Sequence, residues 1–124
     1  MEDIRFDDIE KLRSKISDTF GPFGPEFVSA DELPPGASGL RLQTRLNGEV
    51  MQDANTADMI FDVAGTVALV TEWMTLEPGD LLMMGTPSGV GFTRSPQVFM
   101  KAGDVCEVDI ERVGVLRNPV VDAS

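Results

Sequence analysis

The chain has 124 residues, a length that suits one domain, and its 42% apolar content is ample for a core. Its 21 acidic against 10 basic residues give a net charge of −11, which argues against nucleic acid or an anionic membrane as a partner, since both need a basic face. No histidine occurs anywhere, so Ser-His-Asp and Cys-His catalysis and a His-ligated metal are excluded for this chain acting alone.

Near the start, Ile4, Phe6, Ile9, Leu12 and Ile16 are spaced for one or two helical turns. Gly21-Pro22-Phe23-Gly24-Pro25 and Pro34-Pro35-Gly36 read as loops. Leu40, Leu42, Thr44 and Leu46 alternate with Arg41, Gln43 and Arg45, the period of a half-buried strand. Asn47-Gly48 then supplies a type I′ turn, and residues 49–52 return as the second strand of a hairpin. Thr56 is a suitable N-cap for a helix over 57–73, with Met59, Val63, Val67 and Val70 on its inner face and Ile60 beside them. Gly65 inside that helix costs about 1 kcal/mol relative to Ala, which points to tight helix–sheet packing there.

Two similar turns follow, Glu77-Pro78-Gly79-Asp80 and Lys101-Ala102-Gly103-Asp104, each expected to launch a strand. The first leads into the short apolar run 81–84, which ends in Gly85-Thr86-Pro87 and then Gly89 and Gly91. Glycines there admit close approach of a ligand, and Pro87 stiffens the exit. The second turn leads into 105–110, where Cys106, Val108 and Ile110 alternate with Val105, Glu107 and Asp109; a last strand covers about 115–120. The pattern is mainly β (α+β): a mixed β roll or sandwich with one packed helix, and Thr86 at the concave end of its strand.

In order and spacing, Gln52-Asp53-Ala54-Asn55-Thr56-Ala57-Asp58-Met59-Ile60-Phe61, the loop from Gly85 to Gly91, Lys101-Ala102-Gly103-Asp104-Val105 and Gly114-Val115-Leu116-Arg117-Asn118-Pro119-Val120 resemble the C-terminal half of the fumarylacetoacetate hydrolase family. The resemblance runs over 15–121. Residues 1–14 match poorly, and 15–124 read as a truncated domain of this type.

The resemblance implies enzymes acting on small β-diketo or keto acids by C–C hydrolysis, decarboxylation, isomerisation or hydration. It implies Mg²⁺ or Mn²⁺ on three carboxylates, two from a Glu-x-Glu pair and one from an Asp, with a His-Glu pair on a lid activating water. In the family pattern all of these lie upstream of the matched segment. This chain alone is therefore expected not to bind the metal and to turn substrate over negligibly. The competing reading is an inactive remnant or a structural, oligomerising subunit.

Three polar positions carry over from the family pattern. Lys15 matches a lysine beside the metal that stabilises developing negative charge. Thr19 matches a threonine near the metal shell, and Thr86, next to Gly85, matches the residue that hydrogen-bonds a substrate oxygen. After the lysine the family has a small then an aromatic residue, where this chain has Ile16 then Ser17. In a strand that exchange swaps the apolar face, so an ordinary surface lysine competes with the site role. The resemblance also implies a homodimer, or pairing with an N-terminal half.

Other patterns weigh less. Glu107, Asp109 and Glu111 share a strand face, but the outer two are about 13 Å apart and cannot share one ion, so a solvated acidic face is the stronger reading. Asp53-Ala54-Asn55-Thr56-Ala57-Asp58 resembles a calcium loop but has Ala57 at the fifth position and Asp58 where the turn glycine belongs. The glycine loop lacks the Lys-Ser/Thr ending of a nucleotide P-loop. Met83 and Met84 read as core packing. Cys106, the lone cysteine, fits a reducing compartment. The N-terminus MEDIRFDD lacks a signal pattern, and the apolar run 59–70 is broken by Asp62 and too short to cross a bilayer, so a cytoplasmic location is expected. The acidity also fits a high-salt cytoplasm.

Overall fold

The alternation that begins at Leu40 becomes a ladder. A computed structural model describes residues 21–122 of the chain; Lys15, Thr19 and the expected N-terminal turns lie outside the described residues. Strand β1 (Arg41–Leu46) pairs antiparallel with β2 (Glu49–Asn55). Asn47 and Gly48 join them with φ of 52° and 84°, the pair of positive values that a type I′ turn requires. Strand β2 runs past the expected Gln52 to Asn55, because Ala54 and Asn55 find partners in Leu42 and Arg41. Its polar end, Gln52-Asp53, hides this continuation from a reading of hydrophobic period alone.

Strand β3 (Val105–Ile110) lies antiparallel on the other side of β1, and β4 (Gly114–Pro119) pairs antiparallel with β3, giving the order β2-β1-β3-β4. Two hairpins thus stand side by side, joined by the long segment between β2 and β3. On one face Leu42, Thr44 and Leu46 sit opposite Ile110, Val108 and Cys106. Leu40, just before β1, is 2% exposed and is the buried hydrophobic residue among those described.

The opposite face is charged. Arg45 reaches Glu107 at 3.3 Å and Asp109 at 3.1 Å, Arg41 reaches Asp109 at 3.2 Å, and Arg117 reaches Glu107 at 3.3 Å. The Glu111 carboxylate accepts from the Arg41 backbone N–H at 3.0 Å. Hydrogen bonding from Arg45 foremost holds the Asp109 carboxyl below its ordinary pKa, outweighing the opposing effect of burial, and the Arg41 hydrogen bond adds to it. The alternating acids are therefore paired with arginines rather than merely solvated, since Gln43 and Arg45 lie directly opposite Asp109 and Glu107 across the ladder.

Asp104 ties the two hairpins together. It is 6% exposed; its carboxylate accepts from Asn47 Nδ2 and from the Lys101 backbone N–H, each at 2.9 Å. Asn47 Oδ1 in turn accepts from the Val105 N–H at 2.8 Å. The Asn47 side chain foremost, then the Lys101 N–H, lowers the Asp104 pKa.

The helix is shorter than its sequence pattern. Helix α1 (Val63–Thr71) is capped by Asp62, whose carboxylate accepts from the Gly65 N–H at 2.7 Å. Thr56 is not its cap. A single 3₁₀ turn, Thr56–Asp58, intervenes, capped by Asn55, while the Thr56 hydroxyl accepts from the Leu40 N–H and donates to the Ala37 carbonyl. Asp62 is the better-placed cap for the valine-rich run, and Trp73, 84% exposed, falls beyond the end. Gly65 serves the cap rather than the sheet: a Cβ there would sit 2.9 Å from Asp62 Oδ1.

Candidate functional site

The two Pro/Ala-Gly-Asp turns have one geometry. Asp80 N–H donates to the Glu77 carbonyl at 3.0 Å while the Asp80 carboxylate accepts from the Glu77 N–H at 2.8 Å. Asp104 and Lys101 repeat both bonds, at 3.0 and 2.9 Å. Their products differ. The second turn launches β3, whereas residues 81–84 after the first pair with no strand among the described residues. An apolar run behind a turn becomes a strand only where it lies along a sheet edge, and the outer edges of β2 and β4 are not paired by this run. Met83 is 83% exposed, so the core role read for it does not hold; Met84 lines the cavity described next.

Past Met84 the chain turns back onto β2. The register of β1 with β2 shifts between Thr44 and Arg45, which leaves Met51 as the extra residue of a bulge. Gly89, at φ +102°, packs so tightly on this bulge that a Cβ would run into the Met51 carbonyl oxygen. Arg94 fastens the contact: its Nη2 donates to the Met51 carbonyl and its Nε to the Gly89 carbonyl at 3.1 Å.

Beside the bulge, Gln52 reaches the loop itself. Its Nε2 donates to Thr86 Oγ1 at 2.9 Å and to the Pro87 carbonyl at 2.7 Å, and its Oε1 accepts from Thr44 Oγ1 at 2.9 Å. Thr86 and Gly85 stand on the wall of a cavity of about 490 Å³, a size suited to a small molecule. Leu42, Ala54, Met59, Ile60, Phe61 and Met84 supply apolar walls, and Thr86, Ser88, Asn55, Thr56 and Asp58 the polar ones. Asn55 Oδ1 and Thr56 Oγ1 already hold backbone groups, which leaves the hydroxyls of Thr86 and Ser88 to a ligand; of these two, Thr86 is the one that Gln52 holds in place.

Thr86 and Gly85 are thus brought to one cavity; Lys15 and Thr19 lie outside the described residues. The sequence reading missed Gln52 and the wall from Asp58 to Phe61, which it assigned to a strand end and a helix. Asp58-Met59-Ile60-Phe61 followed by Asp62 carried the signal: a second cap five residues past the start of the expected helix. Among the described residues, no cluster of three or more Cys, Asp or Glu is placed to hold a metal ion, and Asp58 is the carboxylate on the cavity wall. The described residues do not fit a divalent cation by themselves.

Known proteins place this architecture. The family model for the fumarylacetoacetate (FAA) hydrolase C-terminal region matches residues 2–121. The chain is 44% identical over 110 residues to the mitochondrial oxaloacetate tautomerase Fahd2a of Rattus norvegicus, spanning 89% of this chain and 35% of that protein. It is 44% identical over 119 residues to an uncharacterized protein of Archaeoglobus fulgidus, spanning 96% and 43%. The structure of a fumarylacetoacetate hydrolase from psychrophilic Exiguobacterium antarcticum superimposes with a TM-score of 0.85 at 40% identity, covering 94% of this chain and 43% of that one. Maleylpyruvate hydrolase from Sphingobium sp. SYK-6, in complex with manganese(II) and pyruvate, gives 0.75 at 36% identity over 86% and 38%. The chain spans less than half the length of these relatives. Motifs, sheet and cavity loop agree, and the chain belongs to the fumarylacetoacetate hydrolase family.

Proposed function

We propose that the cavity between β2 and the 84–88 loop binds one oxygen of a small keto acid on the Thr86 hydroxyl, with Gly85 giving the substrate room to approach. The observation that carries this reading is the Thr86 hydroxyl, standing on an otherwise largely apolar wall and held there by Gln52. A hydroxyl fixed before the ligand arrives stabilises a developing oxyanion without reorganisation. Lys15, and Thr19 four residues after it, belong to the same site in this reading, Lys15 offsetting negative charge on the substrate.

The reaction is one of the family's keto-acid conversions: C–C hydrolysis, decarboxylation, isomerisation or hydration. Mg²⁺ or Mn²⁺ is the family's cofactor, and it chelates a keto acid when bound. Because the described residues do not fit it, its carboxylates come from outside them, and no step assigned to Thr86 passes through the metal. The working assembly is a homodimer or a pairing with the metal-bearing part of the domain. Exposed Phe27, Ile60, Trp73 and Met83 support such an assembly. Among the described residues no helix is long and apolar enough to cross a membrane. The cytoplasm is the proposed location on the strength of Cys106; the rat relative is a mitochondrial protein.

Pyruvate titrated into the ¹⁵N-labelled chain tests the reading. A hydrogen bond to a charged ligand contributes about 1.5–3 kcal/mol, so Thr86→Val should weaken binding by about 10-fold or more. Equal affinity in the variant would overturn the assignment.

A further inference from the structure

The Gln52 amide can have only one orientation. The nitrogen that reaches Thr86 also reaches the Pro87 carbonyl, which has lone pairs but no proton to give. The amide NH₂ must therefore face the loop, and the amide oxygen faces Thr44, whose hydroxyl donates to it. Thr44 and Gln52 are direct cross-strand partners, so the ladder fixes this alignment. With Gln52 donating to Thr86 Oγ1, the Thr86 proton is not consumed by that contact. Among the described residues it goes to no protein acceptor.

We infer that Thr44 and Gln52 are positioning residues that fix the polarity of Thr86, so that its hydroxyl faces the cavity as a hydrogen-bond donor and selects ligands presenting an accepting oxygen. This rests on the reading of Thr86 as the ligand contact. Two hydrogen bonds in series, Thr44 to Gln52 and Gln52 to Thr86, also polarise the last hydroxyl, which makes the Thr86 proton a better donor than that of an isolated hydroxyl.

Gln52→Glu tests the polarity. Above its pKa a carboxylate at position 52 only accepts, so it captures the Thr86 proton and turns the hydroxyl away from the cavity. Once protonated it can donate again. Facing the Pro87 carbonyl and Thr86 oxygen, a glutamate there has a pKa raised from its usual value of about 4.3. Pyruvate affinity, measured as the ratio of variant to wild type, is expected to fall about tenfold at pH 8 and to recover to within about threefold at pH 5. Asp58 on the cavity wall and Arg94 behind the loop are common to both proteins, so the ratio removes their direct effect on the ligand, and their coupling to a glutamate at 52 moves only the pH at which affinity recovers.

In a Thr86→Val background the same Glu substitution should have no further effect at either pH. A deficit that is the same at pH 5 and pH 8, or one that persists in the Thr86→Val background, would overturn the inference, the latter by showing simple charge repulsion. Gln52→Met, which keeps the length and removes both donors, should weaken binding by a similar factor at both pH values; wild-type affinity there would also overturn it. If Thr86→Val alone leaves pyruvate binding unchanged, the reading of the site fails. If Thr86→Val weakens binding but the Gln52 variants do not, the polarity role alone fails.

Discussion

In the sheet every strand has a partner along its length, and the turns at Asn47 and Asp104 are locked to each other by side-chain hydrogen bonds. Between β2 and β3 the chain has the nine-residue α1 and single 3₁₀ turns, with Ile60, Trp73 and Met83 more than four-fifths exposed. Yet this loosely held segment carries Gly85 and Thr86. It is aligned at the β2 bulge, by Gln52 from the sheet and by Arg94 reaching back from the segment itself to the Met51 carbonyl. The difference separates two tasks: the ladder supplies stability, and a few side-chain tethers fix the loop of the proposed site.

Removing the anchor of the ladder should have the largest effect. Leu40→Ala is expected to cost about 2–5 kcal/mol in a denaturant titration, the range for deleting a buried leucine, because few other side chains are buried behind it. A loss below about 1 kcal/mol would mean that the sheet is held elsewhere.

Gly89→Ala should come next and act on the other region. It combines a φ of +102° with a collision at the Met51 carbonyl, so it should cost more than the usual penalty of about 1 kcal/mol for an ill-fitting alanine. Hydrogen exchange should accelerate at residues 85–91 and remain slow in β1 and β3. Uniform acceleration would erase the proposed division between ladder and loop.

The smallest effect concerns Asp104. Its pKa is lowered in the folded state, so its stabilisation is fully present above the unfolded value of about 3.9 and is lost as pH falls through the lower folded value. Asp104→Asn should therefore lower Tm at pH 7, and its deficit should shrink as pH drops below about 4. A deficit independent of pH would assign the effect to packing rather than charge.

What the sequence disclosed follows the same division. Alternation over Leu40 to Leu46, the Asn47-Gly48 turn and the limits of β3 were legible because each is encoded within a few adjacent residues. The 81–84 run and the start of α1 were not, because each depends on competition with a distant partner: a free sheet edge for one, the cap at Asp62 for the other. Thr86 and Gly85 were legible as site candidates through the family motif, but Gln52 was not. Nothing in its local sequence says that a bulge aims its side chain at a loop more than thirty residues away.

The central claim is that keto acids bind where the loop meets β2. Amide chemical-shift mapping during a pyruvate titration of the ¹⁵N-labelled chain tests it most directly. The account predicts saturable shifts concentrated in residues 52–61 and 84–88, with the β3–β4 hairpin unmoved. Shifts confined to the arginine-bearing face around Arg41, Arg45 and Arg117, or no saturable shifts at all, would contradict it.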